Sequence, residues 1–478
     1  MNYTLHIENA QSTHDFYEVK TPFDGQILGS VEKADAPACE QALQNAEISH
    51  QTIMKSMPAW RRAEILYGVA DLMKKNHEFL AMQIAQEGGK PLKDALVEVT
   101  RAINTVKMSG DEALQLNGEQ LTMDRAKGSE SQLAFTMRVP IGPVLAISAF
   151  NHPLNLIAHQ VATAIAAGNS VIVKPASQTA LSCLTLVDYF YQAGLPKTCL
   201  SVVTVGGAAM SSLVSDPRIR FVTFIGGEEV GWELRKQIAP GTKISLELGG
   251  IGTAILDKTA DLKRAIPSII KSAFYHAGQV CVSLQNLYIH QDIMEDVVPL
   301  LLEEIKKLQT GDSALPTTDV GPLIHKKEIT RVLDLIEQSI AKGAELLAGK
   351  EVINETCLTP TLLKSPTSDL PITSREVFGP VMTIIPYKDI PSVIAEMNSR
   401  PYSFQSAIYT KDIDLALHCA KQIECMGFMI NNPTAFRVDW MPFGGSKKSG
   451  MGVGGIKYSI HEMTEEKLVV MNVDSTQF

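Results

Sequence analysis

The chain has 478 residues, too many for one hydrophobic core, so two or three domains are expected. It is 45% hydrophobic and 20% charged, with a net charge of −9 and no basic run, which argues against a nucleic-acid partner. Its seven cysteines are scattered and form no Cys-x-x-Cys pair, which argues against a disulfide framework or a metal site and fits a reducing, cytoplasmic setting.

The first ten residues carry no signal-peptide pattern, and no apolar run reaches the ~18 residues of a membrane helix, so no membrane partner is expected. Residues up to about Ser30 read as an irregular arm, with turn signals at Thr21-Pro22 and Asp24-Gly25. From Ala36 to Asn117 the pattern is helical. Pro58 opens a helix whose apolar positions Ile65, Leu66, Val69, Leu72 and Met73 recur at helical spacing; Gly88-Gly89 ends it and Pro91 starts another. Residues 119–139 read as a hairpin punctuated by Gly128-Ser129.

From Pro140 the pattern becomes strand-helix-strand. Val144–Ala149, Val171–Val173, Val202–Val205 and Phe221–Ile225 read as strands, with helices near Leu154–Ala167 and Thr179–Gln192 between them. Such alternation means an open parallel sheet, and ligands bind at the carboxyl ends of its strands. Asn151, Lys174, Gly206 and Gly226 each lie just past a strand. Gly226-Gly227-Glu228-Glu229-Val230-Gly231 opens a helix, where glycines let a pyrophosphate approach backbone N–H groups. Its spacing departs from Gly-x-Gly-x-x-Gly, and a plain tight turn is the alternative. A second alternation begins after Gly252, with strands at Thr253–Leu256 and Asn286–His290 and helices at Leu262–Phe274, Ile293–Leu308 and Lys326–Ala341. Leu468-Val469-Val470 in the tail is a candidate edge strand.

Chemistry concentrates at Ala277–Ser283, which holds Cys281. A thiolate is a strong nucleophile toward carbonyl carbon, although a lone cysteine is more often structural. Upstream stands Glu247, between Leu246 and Leu248. Burial between leucines raises a carboxyl pKa, as a general base requires, although a glutamate can equally cap a strand or pair with an arginine. The pair at this spacing points to thiol chemistry more strongly than either residue alone.

Phe150-Asn151-His152-Pro153-Leu154-Asn155, Lys174-Pro175-Ala176, Leu246–Gly250, Gly278–Cys281, Glu376-Val377-Phe378-Gly379-Pro380 and Pro442–Lys447 follow one another in order. Together they resemble the aldehyde dehydrogenase superfamily from Pro58 to Lys467. The resemblance implies an α/β fold with two open, mostly parallel sheets: a Rossmann-like cofactor domain at 1–118 and 140–246 and a catalytic domain at 247–441. Residues 119–139 and 464–478 would form an oligomerisation element of a homodimer or homotetramer. It implies NAD or NADP as cofactor and oxidation of an aldehyde to a carboxylate. Cys281 would be the nucleophile, Glu247 the base for the hydrolytic water, and Asn151 with the Cys281 N–H the oxyanion hole. Phe150, Lys174, Ser177, Gly206, Gly226, Gly227, Val230, Leu248, Glu376 and Phe378 would hold the cofactor, with Lys174 on the adenosine ribose and Glu376 on the nicotinamide ribose.

Two departures stand out. Gly227 replaces a common serine of the phosphate turn, and Ser177 replaces a glutamate that would repel a 2′-phosphate, which admits NADP. Arg101, His152 and Arg437 are the candidates for binding a small anionic aldehyde; for the arginines the plain alternative is an interdomain ion pair. Val280 is apolar where some anion-handling relatives carry arginine. A CoA-acylating dehydrogenase and a non-catalytic binding protein on the same scaffold are the rival readings; Glu247 disfavours the first, and retention of Cys281, Glu247 and Asn151 the second.

Overall fold

The structure is a computed structural model that describes residues 2–365 and 367–473, with the backbone alone at 207–209. Two open sheets organise the chain. The first has six strands in the order Gly450–Met451, Lys243–Glu247, Phe221–Ile225, Val144–Ile147, Val171–Lys174, Leu200–Val202. All neighbours are parallel except the edge strand Gly450–Met451. Val144–Ile147 is buried at every position, which is why its sequence is uniformly apolar. The expected strand at Val202–Val205 forms instead at Leu200–Val202, because the turn Lys197–Cys199 delivers the chain to the sheet edge two residues earlier.

The second sheet has seven strands in the order Glu345–Ala348, Thr361–Lys364, Val381–Tyr387, Leu284–His290, Gly252–Leu256, Gln405–Tyr409, Gly427–Ile430. Only its first pair is antiparallel. A separate three-stranded sheet pairs Thr464–Asn472 with Gln132–Pro140, and that strand with Gln120–Leu121. Part of the expected tail element, 474–478, lies outside the described residues.

Two expectations about the amino-terminal region are corrected. The arm is not irregular: Asn2–Tyr3, Phe16–Lys20 and Ile27–Glu32 form a three-stranded sheet. Its strands are short and mostly half-exposed, so little apolar alternation marks them. The buried Glu32 carboxylate holds the arm by accepting N–H bonds from Leu5, Thr13 and His14 at 3.1, 2.8 and 3.0 Å. The helix expected from Pro58 to Gly88 is two, Ala59–Lys75 and His77–Gly88. The break is at Asn76, whose side-chain amide donates to the Leu72 carbonyl at 2.8 Å and competes with helix continuation. On the first helix Ile65, Leu66, Val69 and Met73 are fully buried, each worth about 1.5–3 kcal/mol of apolar burial.

The helix Leu92–Ala113 braces the site. Its buried Glu98 accepts the N–H groups of Leu154 and Asn155 at 3.0 and 3.1 Å, capping the helix Asn155–Ala166. The fully buried Lys90 neutralises Glu98 through an ion pair. The turn that carries Asn151 and His152 is thereby fixed from behind.

Candidate active site

The carboxyl ends of the first sheet open onto a cavity of about 860 Å³, whose opposite wall is the loop before the strand Leu284–His290. That loop carries Cys281. His276, Ala277 and Gly278 are left-handed in succession, with φ of 49°, 53° and 71°. Such backbone is strained for non-glycine residues and marks a position held by its surroundings. Gly278 admits no side chain, because a Cβ there would lie 2.0 Å from the Gly379 carbonyl oxygen. Gln279 pins the loop: its side chain accepts the Ile324 N–H at 2.9 Å and donates to the Pro322 carbonyl at 3.3 Å. On the other side, the Thr434 hydroxyl donates to the Val282 carbonyl at 2.8 Å.

Three groups converge on this loop. Cys281 lines the cavity; burial pushes its thiol pKa up, the Glu247 and Glu376 carboxylates add to the rise, and Arg437 opposes it. The Asn151 amide donates to the Gln279 carbonyl at 2.9 Å, so it is aimed at the segment next to Cys281. Glu247 ends its strand inside the cavity, where burial raises its pKa against the pull of Arg437. After Glu247 the chain runs against the nucleophile's backbone; a Cβ on Gly250 would lie 2.6 Å from the Cys281 carbonyl oxygen.

One half of the cavity is lined by strand-end backbone. Gly227 caps the helix Glu228–Gln237 without a side-chain bond, and a Cβ on Gly227 would meet nothing within 4 Å. Its first-turn N–H groups therefore face open space at the positive end of a helix, the chemistry a pyrophosphate needs. Lys174 lines the wall and makes no ion pair among the described residues. Ser177 is exposed at the rim and Val230 is 54% exposed. Glu376 accepts the Gly250 N–H at 2.9 Å, and burial pushes its pKa up to about 7. Phe378, at φ 45°, meets Phe150 edge-on at 5.9 Å. The donor set fits a dinucleotide.

The other half is built from buried charge. Asp439, 2% exposed, accepts a forked pair of bonds from Arg101 at 3.1 and 2.8 Å. It also accepts from Asn155 at 3.1 Å, bonds His159 at 2.9 Å, and has Arg437 Nε at 3.9 Å. Burial alone would raise its pKa, but the His159 and Arg101 bonds hold it well below the usual carboxylate range. Arg437 lies flat on Phe443, its guanidinium carbon 3.5 Å from the ring centroid. Its Nη1 is buried and has no hydrogen-bond partner, and the residue lines the cavity. His152 lines the same space; burial and then Lys90 and Arg101 push its pKa well below the usual value, and its Nε2 is 3.4 Å from the Tyr275 hydroxyl.

Of the sixteen expected site residues, fifteen line this one cavity; Gly206 stands outside the lining, at the start of the helix Gly207–Val214. Arg101 lines the cavity with its fork engaged by Asp439. Sequence reasoning missed Asp439, Tyr275, Asp94 and Lys271. Asp439 stands two positions from Arg437, but its partner Arg101 is 338 residues away, so no local pattern exposes the pair. Tyr275 sits next to the strained loop, just past the helix read as ending at Phe274, where no local pattern marks it.

The sequence profile described as the aldehyde dehydrogenase family matches residues 7–469. A 3-sulfolactaldehyde dehydrogenase of Priestia aryabhattai is 37% identical over 465 residues, 97% of this chain and 96% of its own. Aldehyde dehydrogenase 21 from Physcomitrella patens, solved with the reaction product succinate, superposes with a TM-score of 0.96 at 31% identity over 99% of both chains. An NADP-dependent glyceraldehyde-3-phosphate dehydrogenase from Bacillus halodurans, solved with NADP, superposes with a TM-score of 0.95 at 35% identity, covering 99% of this chain and 100% of its own.

Proposed function

The chain belongs to the aldehyde dehydrogenase family, and from that premise we propose how its NAD(P)+-dependent oxidation is divided among these residues and which aldehydes it takes. Cys281 attacks the aldehyde carbon as a thiolate. The Asn151 amide and the Cys281 N–H hold the oxyanion of the resulting thiohemiacetal. The bound nicotinamide supplies the acceptor for the substrate's hydride. A thioester on Cys281 remains. Water is too weak to hydrolyse it unaided, and Glu247, with its raised pKa, takes the water's proton. Glu376 would hold the nicotinamide ribose with Phe378 beside it, Lys174 would contact the adenosine ribose, and the helix at Gly227 would hold the pyrophosphate. Ser177 presents no charge to a 2′-phosphate, so NADP is accepted alongside NAD.

The substrate is a small aldehyde ending in an anion. The observation that carries this is Arg437: a buried guanidinium with an unpartnered Nη1 in the wall of the cavity. A buried charged donor without an acceptor is costly, and an anionic substrate supplies the acceptor. The sulfonated substrate named for the Priestia relative and the succinate bound by the Physcomitrella enzyme support the reading. The test compares an acid-ended aldehyde with its neutral isostere. Wild type should prefer the charged compound, and Arg437→Ala should lose about 10–100-fold in kcat/KM on it and little on the isostere. No preference in wild type, or equal losses on both, would remove the assignment. We place the protein in a reducing, cytoplasmic compartment, since its seven cysteines are unpaired. We place a second copy on the three-stranded sheet, where Leu133, Met137, Leu468 and Val470 are exposed. Light scattering at the dimer or tetramer mass, and a shift toward the monomer in Leu468→Lys, are expected.

A further inference from the structure

We infer that this site selects an aldehyde whose terminal group carries one negative charge, a sulfonate or a carboxylate, over one carrying two, such as a phosphate, and that Asp439 sets this selectivity. The inference rests on the reading of the substrate as anionic. It comes from counting charges around the substrate half. Two guanidiniums, Arg101 and Arg437, share one buried carboxylate. Arg101 gives Asp439 both bonds of its fork, so its charge is matched and its direction fixed. Arg437 is left with Nε at 3.9 Å from the same carboxylate and a buried Nη1 that has no hydrogen-bond partner.

Among the described residues the remaining groups add no second cation that is both buried and unpaired. Lys90 is ion-paired to Glu98. Lys271 also lines the wall and makes no ion pair among these residues, but it is exposed, so solvent screens its charge, and Arg331 on the same wall is ion-paired to Glu328. Burial disfavours the charged forms of His152 and His159 and lowers both pKa values, with Asp439 opposing the shift at His159. Lys174 belongs to the cofactor half. One guanidinium face therefore awaits the substrate. A monoanion matches it. A dianion brings a desolvation cost that rises with the square of its charge, and one guanidinium leaves half of that charge uncompensated.

Asp439 is a positioning residue in this account. It withholds Arg101 and orients Arg437, and it ties both to the helix that follows the Asn151 turn through Asn155 and His159. Replacing it with asparagine keeps the shape and removes the charge that occupies Arg101. Two guanidiniums then face the cavity, the arrangement suited to a dianion.

The test uses the full-length enzyme with 3-sulfopropanal, its phosphate-ended counterpart and butanal, each measured as kcat/KM from pH 5 to pH 8. Wild type should favour the sulfonate over the phosphate by about tenfold or more at pH 8. That ratio should shrink toward pH 5, as the phosphate takes up the proton whose pKa is about 6. Asp94 on the cavity wall, its pKa raised by burial to about 6, titrates in the same range, so the course is read in Asp94→Asn as well, where it should persist. In Asp439→Asn the ratio at pH 8 should fall to unity or below. A wild type that prefers the sulfonate to butanal but takes the phosphate equally well at pH 8 overturns this inference and leaves the anionic reading standing. A wild type that treats all three alike overturns the anionic reading itself. An Asp439→Asn enzyme that binds cofactor and keeps the wild-type ratio overturns the role of Asp439. Should that variant fail to fold, the pH course of the wild-type ratio decides the charge selectivity, and Arg101→Met decides the role of Asp439. With Arg101 removed, Asp439 is free to engage Arg437, and the ratio of kcat/KM for the sulfonate to that for butanal should fall several-fold; an unchanged ratio overturns that role.

Discussion

The two halves of the cavity are built by different means. The cofactor half uses strand ends, glycines and the start of a helix, so its recognition is mostly backbone and local in sequence. The substrate half uses side-chain charges gathered from the helix Leu92–Ala113, the helix Asn155–Ala166 and the loop around Arg437, with one buried carboxylate at their centre. Backbone recognition reads what every dinucleotide shares. A charge network reads what distinguishes one aldehyde from another, and it changes with a single side chain. Cys281 stands at the seam, on a loop pinned by Gln279 from one side and Thr434 from the other.

This contrast can be broken at the seam and then at each half. Cys281→Ala should remove dehydrogenase turnover by at least about 10⁴-fold, with cofactor binding kept, as read by fluorescence titration. Turnover surviving in it would move the nucleophile elsewhere. Asn151→Ala should cost about 10²–10³ in kcat on every aldehyde, charged or neutral, because it acts on the shared oxyanion. A loss confined to charged aldehydes would place Asn151 in the substrate half instead. Ser177→Glu should weaken NADP by about tenfold and leave NAD nearly unchanged, since the new carboxylate faces only a 2′-phosphate. Equal effects on both cofactors would show that position 177 does not read the ribose. The acid limb of the pH–rate profile should lie above the ordinary carboxylate pKa of about 4.3, because Glu247 must be ionised to act and its pKa is raised. Activity is therefore lost as pH falls through that raised value, and a limb at the ordinary value would exclude Glu247 as the controlling base.

The same contrast explains what the sequence disclosed. Val144–Ile147, Phe221–Ile225 and the glycines after them announce a strand and the turn beyond it through local pattern, so the strand ends that line this half were legible, Gly206 excepted. Cys281, Glu247 and Asn151 were legible as motifs in order. Asp439 was not, because its meaning lies in Arg101, His159 and Asn155, which only folding brings to it. Arg101 was legible as a cation near the site, and the plain alternative of an ion pair is the one it adopts, though its partner Asp439 was not legible. The amino-terminal sheet was missed for a related reason: what orders it is Glu32 collecting backbone N–H groups, which leaves no periodic trace.

The central claim is that oxidation and hydrolysis are separate steps, the first on Cys281 and the second on Glu247. Rapid mixing of Glu247→Gln with NADP and an acid-ended aldehyde, quenched in acid and digested for mass spectrometry, tests it most directly. The account predicts a burst of reduced cofactor close to one per subunit, a steady rate about 10²–10⁴-fold below wild type, and the acyl group on the peptide that contains Cys281. A burst without an acyl adduct, or an adduct on one of the other six cysteines, would contradict it.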